Sequence, residues 1–359
     1  ALERGIEIAE RNGLDLETAD LFITKSWAVD TLGRPREAVA LGQAGMDLAD
    51  RLDYMPGRIR SRMNVSNILV VTEPARALAV SRAGMDLALR IGHADWAASL
   101  AGNAGTASLL TGDWDETIRI ATELDHERLS PFSRASLTGA ALIIRAFRGE
   151  LDETALDTDL LKTLATSDSA QDRGIRHALR AFMMVGLGKP RDAVKATRQA
   201  VSELPEGSET LTALAYMGRA GIQLRDETVI AEAVDLMLRI SPGSGWIRVC
   251  VGELRAGGLA LAGDRTGAAR EFLEAIERYR ALGLPPEVAV ATIEALELVS
   301  DALGERDAMI AEVSAIIDQL RFETLRPRLE AIPARTPEAV ATLDRTIPHP
   351  GALGPMQAR

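Results

Sequence analysis

A six-residue helical phrase, AGMDLA, occurs twice in this sequence, first from Ala44 and again from Ala83, 39 residues later. A period of roughly 20 to 50 residues is typical of an architecture of stacked repeats. The repeated phrase carries apolar residues at helical spacing. It therefore predicts a chain built from copies of one helical unit.

A set of helix-ending glycine turns follows the same period. Neighbouring turns are separated by 37 to 41 residues or by 75 to 79, which leaves two empty positions. The segments VTEPARAL at Thr72 and LRDETVIA at Arg225 fill these positions. Eight turns are therefore predicted about 39 residues apart. Six of them contain a glycine, namely Gly33, Gly112, Gly149, Gly188, Gly263 and Gly304.

The residues around each turn suit the end of one helix and the start of another. Glycine adopts the left-handed conformation that closes a helix. Proline follows at the first helical position, where its missing N–H is not needed, and Asp113 and Asp264 are placed to cap a helix N-terminus. The predicted helix-starting prolines are Pro35, Pro74 and Pro190.

Between the turns, apolar residues recur at i, i+3, i+4 and i+7, so each unit is expected to be two antiparallel helices. The predicted fold is all-α, a right-handed superhelical solenoid of about eight helix pairs over residues 1–330. FETLRPRLEAI is expected to cap the last pair. Residues 331–359 are expected to hold one short helix at Thr336–Arg345 and a disordered tail rich in Pro and Gly.

Three of the turn segments, LGRPREAVALGQAGMDLAD, LGKPRDAVKATRQAVSEL and AGDRTGAAREFLEAIERY, resemble tetratricopeptide repeats. The longer, Ala/Leu/Arg-rich unit is similar to the helical-repeat regions of large bacterial signalling ATPases. These include LuxR-type, maltose-regulator-like activators and class III adenylyl cyclases with an attached ATPase module. The resemblance implies a sensor or scaffold segment. Walker, cyclase and helix-turn-helix motifs are absent from the sequence.

Composition narrows the classes of partner. The formal net charge of −11 argues against nucleic-acid binding through this region. No apolar run approaches the roughly 20 residues that span a bilayer, so no membrane association is expected. A single cysteine, Cys250, suits a reducing compartment, and a cytoplasmic location is expected.

Motifs for catalysis and for cofactors are missing. The four histidines form no metal-binding pattern, and the glycine-rich pieces match no phosphate-binding loop. No nucleophile elbow is present. We therefore expect no enzymatic activity, no cofactor and no metal in this chain.

Polar and aromatic residues on the first helices are the candidate binding residues, because first helices line the concave face of such a solenoid. Guanidinium groups there would suit carboxylates or phosphates. The alternative is that these arginines pair with Glu and Asp on neighbouring helices. The candidates are Trp27, Arg58, Arg62, Asn64, Arg173, Arg176, Arg180, Tyr216 and Arg219.

The expected function is a scaffold or sensor segment of a bacterial signalling or transcription regulator. It would bind a peptide, a protein segment or a small effector on its concave face. The alternatives are the C-terminal regulatory region of an adenylyl cyclase or ATPase and a structural oligomerisation arm. The sequence indicates no oligomeric state.

Overall fold

The computed structural model describes residues 1–124, 129–152, 154, 158–204, 208–241 and 245–333. These residues form 18 α-helices and no β-strand. None of these helices is long and apolar enough to cross a membrane. The expected short helix at Thr336–Arg345 and the tail after it lie outside the described residues.

Sixteen of the helices form eight consecutive pairs, and each predicted turn position lies between the two helices of a pair. The first helices are α2 (Asp15–Asp30), α4 (Met55–Val70), α6 (Ala94–Thr111), α8 (Pro131–Phe147), α10 (Ala170–Gly186), α12 (Ser208–Leu224), α14 (Gly245–Leu261) and α16 (Pro285–Val299). The second helices are α3 (Pro35–Arg51), α5 (Pro74–Arg90), α7 (Trp114–Glu123), α9 (Asp159–Ala165), α11 (Pro190–Glu203), α13 (Glu227–Ile240), α15 (Arg265–Ala281) and α17 (Arg306–Leu320). Helix α1 (Leu2–Arg11) precedes the pairs and α18 (Arg326–Glu330) follows them.

Most of the turns have the predicted conformation. Five of the six turn glycines have φ between 68° and 93°, and Arg225 takes the same left-handed region at φ 54°. Gly304 is an exception to the prediction. Helix α16 passes into a 3-10 turn, Ser300–Ala302, and Leu303 is then extended with its side chain buried. Burying Leu303 in this way replaces the left-handed glycine closure.

The helix starts also follow the prediction, with one correction at a cap. Prolines 35, 74 and 190 are the first residues of α3, α5 and α11. Asp264 accepts a hydrogen bond from the Gly267 N–H at 2.9 Å and caps α15. The cap predicted at Asp113 is wrong, because its carboxylate accepts from the Thr111 hydroxyl and from Arg82 instead of from helix N–H groups.

The pairs stack in sequence into an all-α solenoid. Each first helix packs on the first helix of the next pair and on its own second helix. The first helices therefore form the inner layer and the second helices the outer layer. Small residues permit the close approach, as at Gly102, where an added Cβ would lie 2.7 Å from the Ser136 carbonyl oxygen on α8.

The solenoid curves back on itself, which the period did not predict. Helix α6 contacts α16, and α4 contacts α12, so pairs two and three meet pairs six and eight. Arg148 donates from Nε to the Leu320 carbonyl at 3.0 Å, and Thr324 donates to the Phe147 carbonyl at 3.0 Å. This closure leaves α16 buried on nearly all sides.

The segment FETLRPRLEAI packs over the last pair, as expected of a cap. It forms a 3-10 turn, Glu323–Leu325, followed by α18. Phe322 and Leu325 are buried. The Phe322 ring lies 5.0 Å from Trp114 and 5.1 Å from Phe147, between ring centroids, so the cap also joins pairs three and four.

Candidate functional site

A cavity of about 460 Å³ lies on the inner layer, and the first helices of pairs one to six line it. This volume falls in the range of about 300–1,000 Å³ that is usual for small-molecule sites. Trp27 on α2 and Phe132 on α8 line it while remaining 45 % and 37 % exposed. They therefore lie where the cavity meets solvent. The inner layer therefore has a pocket that is partly open to solvent.

Asparagines at matching repeat positions form one wall. Asn64 donates from Nδ2 to the Ile23 carbonyl at 3.2 Å, and Asn103 donates to the Met63 carbonyl at 3.1 Å and to Ser66 Oγ at 3.0 Å. Each amide thus bonds to the preceding first helix. The two asparagines are 39 residues apart, one repeat period. The sequence analysis did not predict Asn103 as a binding residue, although its distance of one repeat period from Asn64 could have indicated it.

An aromatic layer lies below the cavity. Phe182 lines the cavity, and its ring meets Tyr216 edge-on at 5.1 Å between centroids. Neither Tyr216 nor Phe147 lines the cavity, and their ring centroids lie 5.8 Å apart. Tyr216 is buried, and burial raises its pKa, so its hydroxyl stays protonated. These rings form a rigid apolar base.

Beneath the aromatic layer, Arg219 forms a buried ion-pair network. Its guanidinium donates to Glu253 through Nε at 2.9 Å and Nη2 at 2.8 Å, and to Glu287 at 2.5 Å. Tyr279 donates to Glu253 at 2.5 Å. Arg219, Glu253 and Glu287 are separated by 34 residues each and lie on α12, α14 and α16. This equal spacing was an available signal for the two glutamates, which were not predicted.

Within the part of the chain that the structure describes, one cluster has the residue types of a metal site. The candidate ligand atoms of Cys250, Glu253 and Glu287 lie within 4.8 Å of one another. However, Arg219 already bonds to both carboxylates and supplies the positive charge. Burial also raises the pKa of the Cys250 thiol, and a metal ligand must be a thiolate. The donor set therefore does not fit a metal ion while Arg219 is in place.

The structure separates the nine predicted binding residues. Trp27 and Asn64 line the cavity, whereas Arg58 and Arg62 both bond to Asp50, Arg62 through two nitrogens at 3.1 and 2.8 Å. These pairs lower the pKa of Asp50 against the opposing effect of burial. The geometry of Arg58 and Arg62 is that of the alternative, ion pairing between neighbouring helices.

The remaining predicted arginines lie apart from the cavity lining. Arg173 bonds to Glu203 at 2.9 Å and to the Ser167 carbonyl at 3.0 Å. Arg176 and Arg180 are half-buried on α10, and burial together with the Arg180 charge lowers the pKa of Arg176. Arg219, with Tyr216 above it, is buried in the core and does not line the cavity.

No protein-family model matches the sequence, and comparison with curated proteins finds no match. The likeness to LuxR-type activators or adenylyl cyclases therefore has no support from these comparisons. The packing of consecutive helices agrees with a helical-repeat fold.

Proposed function

We propose that this chain is a binding scaffold that takes a small effector or a short segment of a partner into the cavity of its inner layer. The supporting observation is one pocket of about 460 Å³ to which six successive first helices contribute. Helices this close would otherwise fill their shared space with side chains. A lined pocket with exposed aromatics at its edge suits recognition.

A cavity-filling variant tests this proposal. Thr106 lines the cavity and donates to the Gly102 carbonyl four residues back, so Thr106→Phe would place a ring in the pocket. Thr122 makes the same bond to Ile118 on the outer helix α7 and is exposed, so Thr122→Phe is the matched control. We expect ligands found by thermal-shift screening to lose their effect with Thr106→Phe alone. Hits that stabilise both variants equally would contradict the proposal.

We propose further that the segment serves a signalling or transcription regulator by reporting occupancy through a change in curvature. Contacts across the closure, such as Arg148 with Leu320, are the ones such a change would alter. Small-angle scattering during ligand titration should show compaction or rigidification. An unchanged profile at saturation would contradict this mechanism but not binding itself.

A structural oligomerisation arm is the second candidate, and one observation favours it. Ile8, Leu14 and Leu16 are 48 %, 41 % and 47 % exposed and lie close together in sequence at α1 and the start of α2. Exposed apolar groups at one end of a solenoid suit contact with another molecule. Analytical ultracentrifugation of the wild type and of Leu14→Ser/Leu16→Ser would show a concentration-dependent dimer only in the former.

A further inference from the structure

We propose that the cavity of the inner layer binds an uncharged molecule that carries an amide group on an apolar body. This inference rests on the proposed function, because it names the class of ligand for the same cavity. Three features of the lining support it, namely its change in polarity from helix to helix, the balance of its charges and its free hydrogen-bonding groups.

The lining changes in polarity along the stack of first helices. Helices α8 and α10 contribute mostly apolar side chains, including Phe132, Ile143, Ile175, Leu179 and Phe182. Helices α2, α4 and α6 contribute six uncharged polar side chains, which are Thr24, Asn64, Asn67, Ser99, Asn103 and Thr106. A ligand that suits both parts has an apolar body and a polar group.

The charged residues of the lining balance one another. Arg60 and Glu209 are the charged side chains among the described residues that line the cavity, so their formal charges cancel. Arg60 is paired with Asp20 at 3.0 Å, and Glu209 also interacts with another group of the protein. An ion that enters the cavity would lose part of its hydration without meeting an excess of opposite charge. The lining therefore favours an uncharged ligand.

The lining offers free hydrogen-bond donors. Among the described residues of the lining, the side chains of Trp27, Asn67, Ser136 and Gln171 have no hydrogen-bond partner. The indole N–H, the two amide NH2 groups and the serine hydroxyl are therefore free to donate. A carbonyl oxygen of a ligand can accept from these groups.

The lining also offers acceptors for the N–H groups of a ligand. Asn64 and Asn103 each donate from the NH2 group to a main-chain carbonyl of the preceding first helix, so the Oδ1 of each remains as an acceptor. Ser99 and Thr106 each donate to a carbonyl four residues earlier, at 3.0 Å. A hydroxyl that donates its one proton can only accept from a further group.

An amide group matches both sets of hydrogen-bonding groups. Its carbonyl oxygen accepts and its N–H groups donate, whereas a carboxylate only accepts and an ammonium group only donates. The apolar body of the ligand would contact Phe132, which is exposed at the opening of the cavity, and the buried Phe182 on α10.

Four probes that share an indole ring test this inference. Indole-3-acetamide carries the amide, indole-3-acetate is an anion, tryptamine is a cation and 3-methylindole has no polar group beyond the ring. Binding to the full chain is measured by ligand-observed NMR titration, with competition between probes. We expect indole-3-acetamide to bind about tenfold more tightly than each of the others, as one or two net hydrogen bonds would give. Equal or tighter binding of any other probe would overturn the inference.

Variants that convert an amide into a carboxylate test whether the cavity makes this selection. Asn67→Asp removes a free NH2 group and adds a negative charge, so tryptamine should then bind more tightly than indole-3-acetamide. Gln171→Glu changes an exposed residue in the first turn of α10, where an acidic side chain suits the helix dipole, so this variant should fold and shift the preference in the same direction.

Gln199→Glu is the matched control, because Gln199 is exposed on the outer helix α11. It should leave the order of the probes unchanged. Circular dichroism shows whether each variant is folded. A preference for indole-3-acetamide over tryptamine that is unchanged in folded Asn67→Asp and Gln171→Glu would overturn the inference.

The outcomes separate this inference from the proposed function. If a charged probe binds best and Thr106→Phe abolishes that binding, the cavity is a binding site but not one for amides. If none of the four probes binds, this inference fails. The proposed function fails with it if a broader library also gives no ligand that is sensitive to Thr106→Phe.

Discussion

Arg219→Met is expected to destabilise the protein strongly, and by an amount that depends on pH. The substitution keeps most of the side-chain volume but removes the guanidinium from Glu253 and Glu287, which are both buried. Breaking a buried ion pair usually costs about 3–5 kcal/mol. The two carboxylates can avoid remaining charged by taking up protons. With a reference pKa of about 4.3, protonation costs about 3.7 kcal/mol per group at pH 7 and about 1 kcal/mol at pH 5.

The expected loss in the free energy of unfolding is therefore about 3–7 kcal/mol at pH 7 and about 2 kcal/mol at pH 5. The sign follows because the folded variant holds protons that the unfolded chain releases, so its stability falls as pH rises. Urea unfolding followed by circular dichroism at both pH values measures the loss. Glu253→Gln and Glu287→Gln added to Arg219→Met should restore most of the stability at pH 7.

Arg198→Met is the matched control. Arg198 bonds to Glu232, also 34 residues later, through Nε at 3.0 Å and Nη2 at 2.6 Å, but the guanidinium is about half exposed. Exposed pairs contribute less than about 1 kcal/mol. An equal loss at pH 5 and pH 7 for Arg219→Met, or no recovery in the triple variant, would show that packing rather than charge explains the effect.

Three further predictions follow from single residues. Burial raises the pKa of Glu294, and its carboxyl oxygens have no hydrogen-bond partner among the described residues. The stability of the wild type should therefore fall as pH rises from about 4.5. In urea titrations, Glu294→Gln should show a flatter pH dependence and should be more stable than the wild type at pH 8. Gly102→Ala should lower the free energy of unfolding by about 1–3 kcal/mol, because the new Cβ would meet the Ser136 main chain. At Gly252 an added Cβ meets no atom within 4 Å, so Gly252→Ala should raise it by up to about 1 kcal/mol. Thermal unfolding that ranks the two variants in the opposite order would refute the helix spacing. Cys250 is buried, and burial raises the pKa of its thiol. Iodoacetamide should therefore react on the order of 100-fold more slowly with the native protein than with the protein in urea. Equal rates of modification by mass spectrometry would contradict this burial.

The sequence predicted the elements well because their signals are local. A left-handed residue after an apolar run and a proline two or three positions later define a turn without reference to the rest of the chain. The positions at Thr72 and Arg225 lacked the glycine, yet α4 and α12 end at Val70 and Leu224. Spacing identified these two turns where residue type did not.

The contact between the early and the late helix pairs could not be predicted from the repeat period. The curvature of a solenoid depends on small rotations between neighbouring pairs, which the period does not give. One signal was nevertheless present in α16. Its sequence, PPEVAVATIEALELV, has apolar residues on every face, and a helix of that kind is normally buried on all sides. It indicates a helix at the centre of the molecule rather than at the end of a rod.

The candidate site was predicted less well, because placing a residue on a first helix does not give the direction of its side chain. Asn64 reaches the preceding helix and lines the cavity, whereas Arg62, two positions earlier, turns to Asp50 on α3. Long guanidinium side chains find acidic partners wherever these are in reach. The short side chain of asparagine cannot reach distant partners in this way. Its position in the sequence therefore predicts its position in the structure more closely.

The buried ion-pair network of Arg219, Glu253 and Glu287 affects which alignment of the inner helices is favoured. The interfaces between inner helices consist mostly of Ala, Val, Ile and Leu, which can pack in more than one register at little difference in energy. Arg219 meets Glu253 and Glu287 only when α12, α14 and α16 are aligned at one register, since any shift leaves buried charges unpaired. Because a buried ion pair contributes little net stability over apolar packing, we infer that the network acts mainly by disfavouring other alignments. The same alignment places α16 against α6, so a charge network that does not itself line the cavity favours this closure of the solenoid.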